Sequence, residues 1–181
     1  MAIAVMAIAA GAAVPLALGG VDRTRASAAA RYVAARMAMA RLEAVKRSAF
    51  VAIRFTQDGT DYWLRTYVDG NGNGVLSGEI ASDIDKPISA AEHIDNHFAG
   101  AAFGIQPAVT SLDPGQLLDP SDPIQIGAST LLSFSPNGSS TSGTIFIRGR
   151  GAAQFAVRVL GATGRTRVFE FDFGERLWRL R

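Results

Sequence analysis

The chain has 181 residues, 48% of them hydrophobic, which is enough for one domain plus a short additional segment. Cysteine is absent, and this excludes a disulfide framework, a zinc finger with cysteine ligands and a thiol nucleophile. The net charge of +2 is unevenly distributed along the chain: residues 1–56 and 126–181 carry +6 and +5, whereas residues 57–125 carry −9. The ends and the middle of the chain therefore favour partners of opposite charge.

Residues 1–21 contain no charged side chain and are rich in alanine. About 20 apolar residues span the hydrocarbon core of a bilayer, so this segment is just long enough to be a membrane anchor. It runs without a turn signal into a charged helical pattern. This continuity favours an anchor over a cleaved signal peptide, which also needs a basic start. A cleaved signal peptide and a buried core helix remain the two alternatives for this segment.

Residues 22–50 are predicted to be an amphipathic continuation of the same helix. Apolar residues recur at intervals of four, three and four, which places them on one helical face: Val33, Met37, Ala40 and Ala44. Charged residues are expected on the opposite face: Arg36, Glu43 and Arg47. Strong helix breakers are missing between Val21 and Phe50. One helix of about 75 Å, at 1.5 Å per residue, is therefore expected to end near residue 50.

Strand patterns dominate the globular part, residues 51–181. Phe50–Phe55 and Tyr62–Val68 flank Asp58-Gly59, a dipeptide typical of a β-hairpin turn. Further strands are predicted over Leu131–Phe134, Thr144–Ile147, Phe155–Leu160 and Arg167–Phe173. The proline-rich stretch 104–128 is predicted to be an ordered but irregular loop. The fold class predicted is α+β, with a long N-terminal helix followed by an antiparallel β-rich domain.

A loop after the second strand resembles a calcium-binding loop in its first nine positions. Oxygen-bearing groups recur at alternate positions, with glycine at the bend: Asp69, Asn71, Asn73, Val75 (through its carbonyl) and Ser77. Position twelve is Ile80, and Glu79 stands one place early, so the usual bidentate carboxylate is missing. An Asn-Gly-rich hairpin turn produces the same residues for steric reasons, and calcium binding and a plain turn both stay open.

Two other groups of residues are candidate sites. His93 and His97 are four residues apart, a spacing that on a helix would suit zinc, with Glu92 or Asp95 nearby. A basic patch suited to phosphates is predicted from four arginines: Arg148, Arg150, Arg165 and Arg167. The alternatives are a solvated helix for the histidines and a charged hairpin edge for the arginines.

Catalytic motifs are missing from the sequence. Neither a serine in a nucleophile elbow nor a glycine-rich phosphate loop with lysine occurs, and the aspartates lie mainly at turns, where aspartate is common. The sequence predicts a protein that is not an enzyme and has no catalytic residues. No cofactor is expected, although calcium stays open for the Asp69 loop.

Four segments, in their order along the chain, resemble one family. The apolar run with Pro15 is followed by the helical segment 22–50, then by Phe134-Ser-Pro136-Asn-Gly138 with Thr144-Ile-Phe-Ile, and finally by Gly161-Ala-Thr-Gly164-Arg165-Thr-Arg167-Val. In this order the chain resembles the GspH/FimT-type pseudopilins, which are pilin-like proteins of type II secretion and type IV pilus systems. The family's leader, processing glycine and glutamate are missing, and we expect a start assigned too late, at a methionine within the hydrophobic run.

The resemblance implies a structural minor pseudopilin, held in the inner membrane by a single pass with its globular domain in the periplasm. Its partners would be other pilins or pseudopilins, contacted through the N-terminal helix, and prepilin processing with N-terminal methylation is implied as well. In some FimT-type proteins of DNA-uptake systems, a Gly-Arg-x-Arg motif resembles Gly164–Arg167. A DNA-binding minor pilin, or a secreted β-domain of unknown ligand, are therefore the alternative functions.

Overall fold

The computed structural model describes residues 2–114, 116, 118–127 and 129–181, with side chains from residue 19 onward. Helix α1 spans Ala2–Arg47 and is about 69 Å long at 1.5 Å per residue. It ends where Ser48 adopts a φ of 52° and the next amide donates back to the carbonyl of Ala44. The helix therefore ends three residues before the expected position, because a left-handed residue reverses the chain there.

Within the described residues, ten strands and two short helices follow α1. The strands are β1 (Val51–Asp58), β2 (Asp61–Val68), β3 (Lys86–Pro87), β4 (Ala102–Phe103), β5 (Ile124–Gln125), β6 (Leu131–Phe134), β7 (Gly143–Arg148), β8 (Gln154–Leu160), β9 (Arg165–Asp172) and β10 (Leu177–Leu180). Helix α2 spans Ser77–Ala81, and a 3₁₀ helix spans Ile94–Asn96.

The strands form two antiparallel sheets. The first has the order β3-β2-β1-β6, and the second has the order β10-β9-β8-β7-β4, with β5 also pairing with β7. The β1–β2 hairpin turns at Gly59, whose φ of 60° suits a residue without a Cβ. Consecutive strands therefore lie next to one another in most of both sheets.

Helix α1 packs lengthwise on both sheets. It contacts β7, β8 and β9 of the second sheet and β1 and β6 of the first. Seven residues of its inner face are buried: Ala26, Ala29, Ala30, Val33, Met37, Ala40 and Ala44. The four apolar residues predicted on one face are all among them. Five of the seven are alanines, and their small side chains let the helix backbone approach the sheets closely.

The loop between β4 and β5 crosses the outer face of the second sheet. The indole N–H of Trp178 donates to the carbonyl of Thr110 at 2.8 Å, and Arg158 forms an ion pair with Asp113. Gln154 is fully buried, and its side-chain carbonyl accepts the backbone N–H of the loop at 2.7 Å. The irregular loop predicted here is thus held by side-chain bonds to the sheet.

The predicted α+β class is confirmed: an N-terminal helix precedes a domain of antiparallel sheets. The hairpin and the four further strands predicted are present, with bounds that differ by at most two residues except at the first strand. One expectation for the helix is wrong in detail. Arg36, expected on the solvent side with Glu43 and Arg47, is half-buried because it forms an ion pair with Glu92 at 3.0 Å.

Candidate functional site

The outward face of α1 carries large apolar side chains exposed to solvent. Met39, Leu42 and Val45 have exposed fractions of 56%, 65% and 46%. Their spacing of three residues keeps them on adjoining turns of the same side of the helix, and we call them the apolar stripe. Exposed apolar side chains grouped in this way indicate a surface that a partner covers.

The membrane anchor predicted over residues 1–21 falls mostly outside the part of the chain whose side chains are described. As backbone, residues 2–21 and the predicted continuation belong to one helix. Across the described residues, no helix combines the length and the apolar character needed to cross a bilayer.

Asp69 organises the loop predicted to bind calcium. It is 8% exposed, and its carboxylate accepts the backbone N–H groups of Asn71 at 3.0 Å, Gly72 at 2.7 Å and Gly74 at 2.8 Å. Burial alone would raise the pKa of Asp69, but these backbone hydrogen bonds outweigh it and hold the pKa below its ordinary value. The carboxylate is therefore ionised at neutral pH and fixes the turn.

A second buried carboxylate, Asp85, closes the other side of the loop. It is 1% exposed and accepts the backbone N–H groups of Gly70 at 3.0 Å and Leu76 at 2.8 Å. The sequence did not single out Asp85, because it lies outside the alternating positions of the calcium-loop pattern. The only signal is its position immediately before Lys86-Pro87, which is too common to identify a role.

Glu79, the third residue of α2, points back into the loop. The side-chain amides of Asn71 and Asn73 both donate to its Oε1, at 3.1 and 2.8 Å, and its Oε2 is buried without a hydrogen-bond partner among the described residues. Ile80, at position twelve, instead packs beside the small apolar cluster that contains Val75. Glu79 thus supplies the carboxylate that the sequence pattern lacks, one position early.

Of the predicted calcium ligands, Asp69, Asn71 and Asn73 surround the same loop as Glu79, whereas the side chain of Ser77 is exposed at the start of α2. Oxygen ligands of this kind suit a hard cation such as Ca²⁺. The described residues contain no group of three or more His, Cys, Asp or Glu side chains placed to hold a metal ion. A calcium ion here would therefore depend on amide and carbonyl oxygens.

The two histidines do not share a helical face. They flank the 3₁₀ helix Ile94–Asn96, which is too short to repeat an i, i+4 face. His93 stacks on Trp63 with ring centroids 3.7 Å apart, and its Nδ1 lies 3.2 Å from the carboxylate of Asp61. His97 contacts the ring of Tyr32, and its Nε2 lies 3.1 Å from Glu92. The histidines therefore have separate partners.

The four arginines of the predicted basic patch form two separate pairs. Arg148 ends β7, and Arg150 lies in the turn to β8. Arg165 and Arg167 are exposed at the beginning of β9, beside the other end of β8. At about 3.3 Å per residue, the length of β8 separates the two pairs by about 20 Å. Neither Arg165 nor Arg167 forms an ion pair within the described part of the chain.

A long N-terminal helix packed on antiparallel sheets is the architecture of the pilin-like class of proteins. The family model of the type II transport protein GspH matches residues 29–164, which is more than half of the chain. The chain belongs to this family, and the resemblance seen in the sequence is confirmed. Neither a curated protein nor a solved structure matches the chain significantly.

Family membership supports a pseudopilin-like role in type II secretion and association with other pseudopilins. GspH proteins are structural pseudopilins rather than a class of enzymes, and the family suggests a periplasmic protein anchored in the inner membrane. The matched residues include α1 from Ala29 onward and strands β1 to β8, whereas β9 and β10 lie beyond the match.

Proposed function

We propose that the chain is a minor pseudopilin that joins a type II secretion pseudopilus, or a related type IV pilus, through α1. Residues 1–21 would anchor it in the inner membrane, residues 22–50 would continue the helix outward, and residues 51–181 would form the periplasmic domain. The observation that carries this proposal is the apolar stripe on α1, opposite the face that the sheets bury.

Helix packing against a neighbouring subunit would remove the stripe from water. Fully burying a leucine or methionine side chain contributes about 1.5–3 kcal/mol, so three such side chains supply a substantial driving force. Ala35 and Ala38 are also exposed on this side of α1, and small residues let two helices approach closely.

Introducing a charge into the stripe tests the proposal. Leu42→Glu should abolish recovery of the chain in pseudopili and reduce secretion, because a buried carboxylate would have no partner. Leu160→Glu is the matched control, since Leu160 is also exposed but lies at the end of β8. Equal assembly of Leu42→Glu and wild type would contradict the proposal.

The fate of the N-terminus provides a second test. Mass spectrometry of the native protein from a membrane fraction should find residues 1–21 retained, with the terminal methylation that the family implies. A native terminus near Gly20 would mean a cleaved segment and an exported domain, and the assembly proposal would fall.

We also propose that the loop from Asp69 to Glu79 binds calcium. Support comes from the buried Asp69, from the two asparagine amides that converge on Glu79, and from the unpartnered Oε2 of Glu79. Asn73 and Asn71 would turn their amide oxygens toward the ion, while the carbonyl of Val75 and the hydroxyl of Ser77 would complete the shell.

Calorimetry on the full chain in detergent should detect saturable calcium binding, and calcium should raise the midpoint of thermal unfolding. Glu79→Gln should weaken both effects. Asp83→Asn is the control, because Asp83 is exposed and pairs only with Lys86. An absence of binding heat, together with equal unfolding midpoints in calcium and in chelator, would refute the calcium proposal.

DNA contact through Arg165 and Arg167 is the second candidate function. Both side chains are exposed and lack ion-pair partners in the described residues, which leaves their charges free for phosphates. The Arg165→Gln/Arg167→Gln variant should weaken DNA binding of the full chain and reduce its salt dependence. Arg176→Gln, an exposed arginine at the other end of the domain, is the control. Equal DNA binding by all three proteins would exclude this function.

A further inference from the structure

A cleft of about 650 Å³ lies between the middle of α1 and β9. Its polar lining consists of Arg23, Thr24, Ser27, Arg31, Glu170 and Arg181. The apolar stripe lies farther along α1, so this cleft is separate from the surface proposed for assembly.

The cleft carries a net positive charge. Glu170 accepts Arg23 Nη2 at 3.0 Å and Arg181 Nε at 2.6 Å. Burial would raise the pKa of Glu170, but the hydrogen bonds and charges of the two arginines lower it below its ordinary value, so Glu170 is ionised. Arg31 is exposed and has no acidic side chain within ion-pair distance among the described residues. Three arginines and one carboxylate leave a charge of +2.

The neighbouring surface extends this positive region. A second cleft, of about 510 Å³, shares Arg23 and adds Arg25 and Arg150. The carboxylate of Asp22 in that cleft already accepts hydrogen bonds from the backbone N–H groups of Arg150 and Gly151, at 2.8 and 2.9 Å. The acidic groups at this end of the domain are thus used within the protein, while Arg25 and Arg150 remain exposed.

The position of the cleft along α1 indicates its ligand. Arg23 lies two residues, or about 3 Å, beyond Val21, the last residue of the uncharged segment. Ser27 lies about 9 Å beyond Val21 on the same scale. The polar headgroup layer of each leaflet is about 5–8 Å deep, so the near half of the cleft would lie within or just above that layer. Long arginine side chains can extend toward it from Arg31.

We propose that this cleft binds the phosphate of an anionic phospholipid headgroup, with Arg31 and Arg181 as the main cations and the hydroxyl of Ser27 as a further donor. The bound headgroup would fix the height and rotation of the periplasmic domain above the bilayer before assembly. This inference rests on the proposed anchoring of residues 1–21 in the membrane.

Lipid binding by the full chain in neutral detergent tests the inference. Native mass spectrometry should show retention of phosphatidylglycerol, but not of phosphatidylcholine, and phosphatidylglycerol should raise the midpoint of thermal unfolding. Inorganic phosphate should not reproduce this rise. Arg31→Gln/Arg181→Gln should weaken phosphatidylglycerol binding about 25-fold, since each basic residue near an anionic surface contributes about fivefold. Arg23 would still hold Glu170, so the variant should fold.

The matched control is Lys46→Gln/Arg47→Gln, which removes two exposed basic residues in the last turn of α1, away from the cleft, and should bind lipid as wild type does. Equal retention of both lipids, equal loss in both double variants, or full protection by inorganic phosphate would overturn the headgroup proposal. The Arg31→Gln/Arg181→Gln variant could instead bind lipid as wild type does but no longer cross-link to neighbouring subunits. That result would assign the cleft to an acidic protein partner and would also overturn the headgroup proposal.

Carbonate extraction of native membranes distinguishes a failure of the headgroup proposal from a failure of the proposed membrane anchor. A chain that resists extraction but shows no lipid preference would refute the headgroup site and leave the anchor intact. A chain released by carbonate would refute the anchor, and the headgroup proposal would fall with it.

Discussion

Replacing Asp69 by alanine should unfold the loop after β2 and destabilise the domain. The substitution removes the acceptor of three backbone N–H groups in a residue that is 8% exposed. A hydrogen bond to a charged group contributes about 1.5–3 kcal/mol, but Asn71 and Gly72 are exposed and their amides can regain water. We therefore expect a loss of about 2–4 kcal/mol, which is below the roughly 4.5–9 kcal/mol that three such bonds would contribute if none of the amides regained water.

Urea unfolding of the full chain in detergent, followed by the fluorescence of Trp63 and Trp178, measures this loss. Asp83→Asn is the matched control in the same segment. The side chain of Asp83 is 75% exposed and pairs with Lys86 on the surface, and asparagine tolerates the φ of 59° at this position. Neutralising this side chain should therefore change the free energy of unfolding by less than about 0.5 kcal/mol.

The loss should also depend on pH in a defined direction. The pKa of Asp69 is lower in the folded than in the unfolded chain, so its contribution is fully present above the unfolded pKa and declines as pH falls through the folded pKa. Wild type and Asp69→Ala should therefore differ at neutral pH and converge in strong acid. A neutral-pH difference no larger than that of Asp83→Asn would refute the role given to Asp69.

Three further predictions use the same urea assay. Met37→Ala should cost about 2–5 kcal/mol because Met37 is fully buried, whereas Met39→Ala, two residues away on the exposed face, should cost less than about 0.5 kcal/mol; equal losses would contradict the packing of α1. Gly164→Ala should destabilise the domain more than Gly59→Ala. Both glycines have a φ of 60°, but only at Gly164 would a Cβ meet a backbone oxygen of the adjoining turn. A larger loss at Gly59 than at Gly164 would refute this steric argument. Glu92→Ala should cost about 1–3 kcal/mol by removing the acceptor of a tyrosine and an arginine of α1, and an unchanged midpoint would show that these bonds contribute nothing.

The helix and the long strands could be predicted because their periodicity records which face is buried. Val33, Met37 and Ala40 repeat at helical spacing and are all buried by the sheets. The β1–β2 hairpin was predictable for a similar reason, since alternation in both strands flanks a glycine turn. Each of these signals is local, so a single sequence contains it completely.

The short strands and the bonds of the candidate sites could not be predicted in this way. Strands β3, β4 and β5 have two residues each, which is too few to show any period. Asp85 and Glu92 act through partners that are distant in sequence, and neither has a pattern that marks it. Glu79 was noticed only as a misplaced ligand, because the orientation of α2 that turns it into the loop depends on the packing of Ile80.

The two faces of α1 differ in what they contact: the inner face packs on the sheets, and the outer face carries the apolar stripe. Substitutions on the two faces should therefore have different effects. The sheets bury its inner face through alanines and Met37, so the domain folds without the stripe formed by Met39, Leu42 and Val45. Because the stripe contributes little to the folding of one subunit, selection for monomer stability alone would not retain three large apolar side chains in water. The helix contact proposed above for a neighbouring subunit would account for their presence. Met37→Ala should accordingly lower stability, whereas Leu42→Glu should lower assembly without lowering stability.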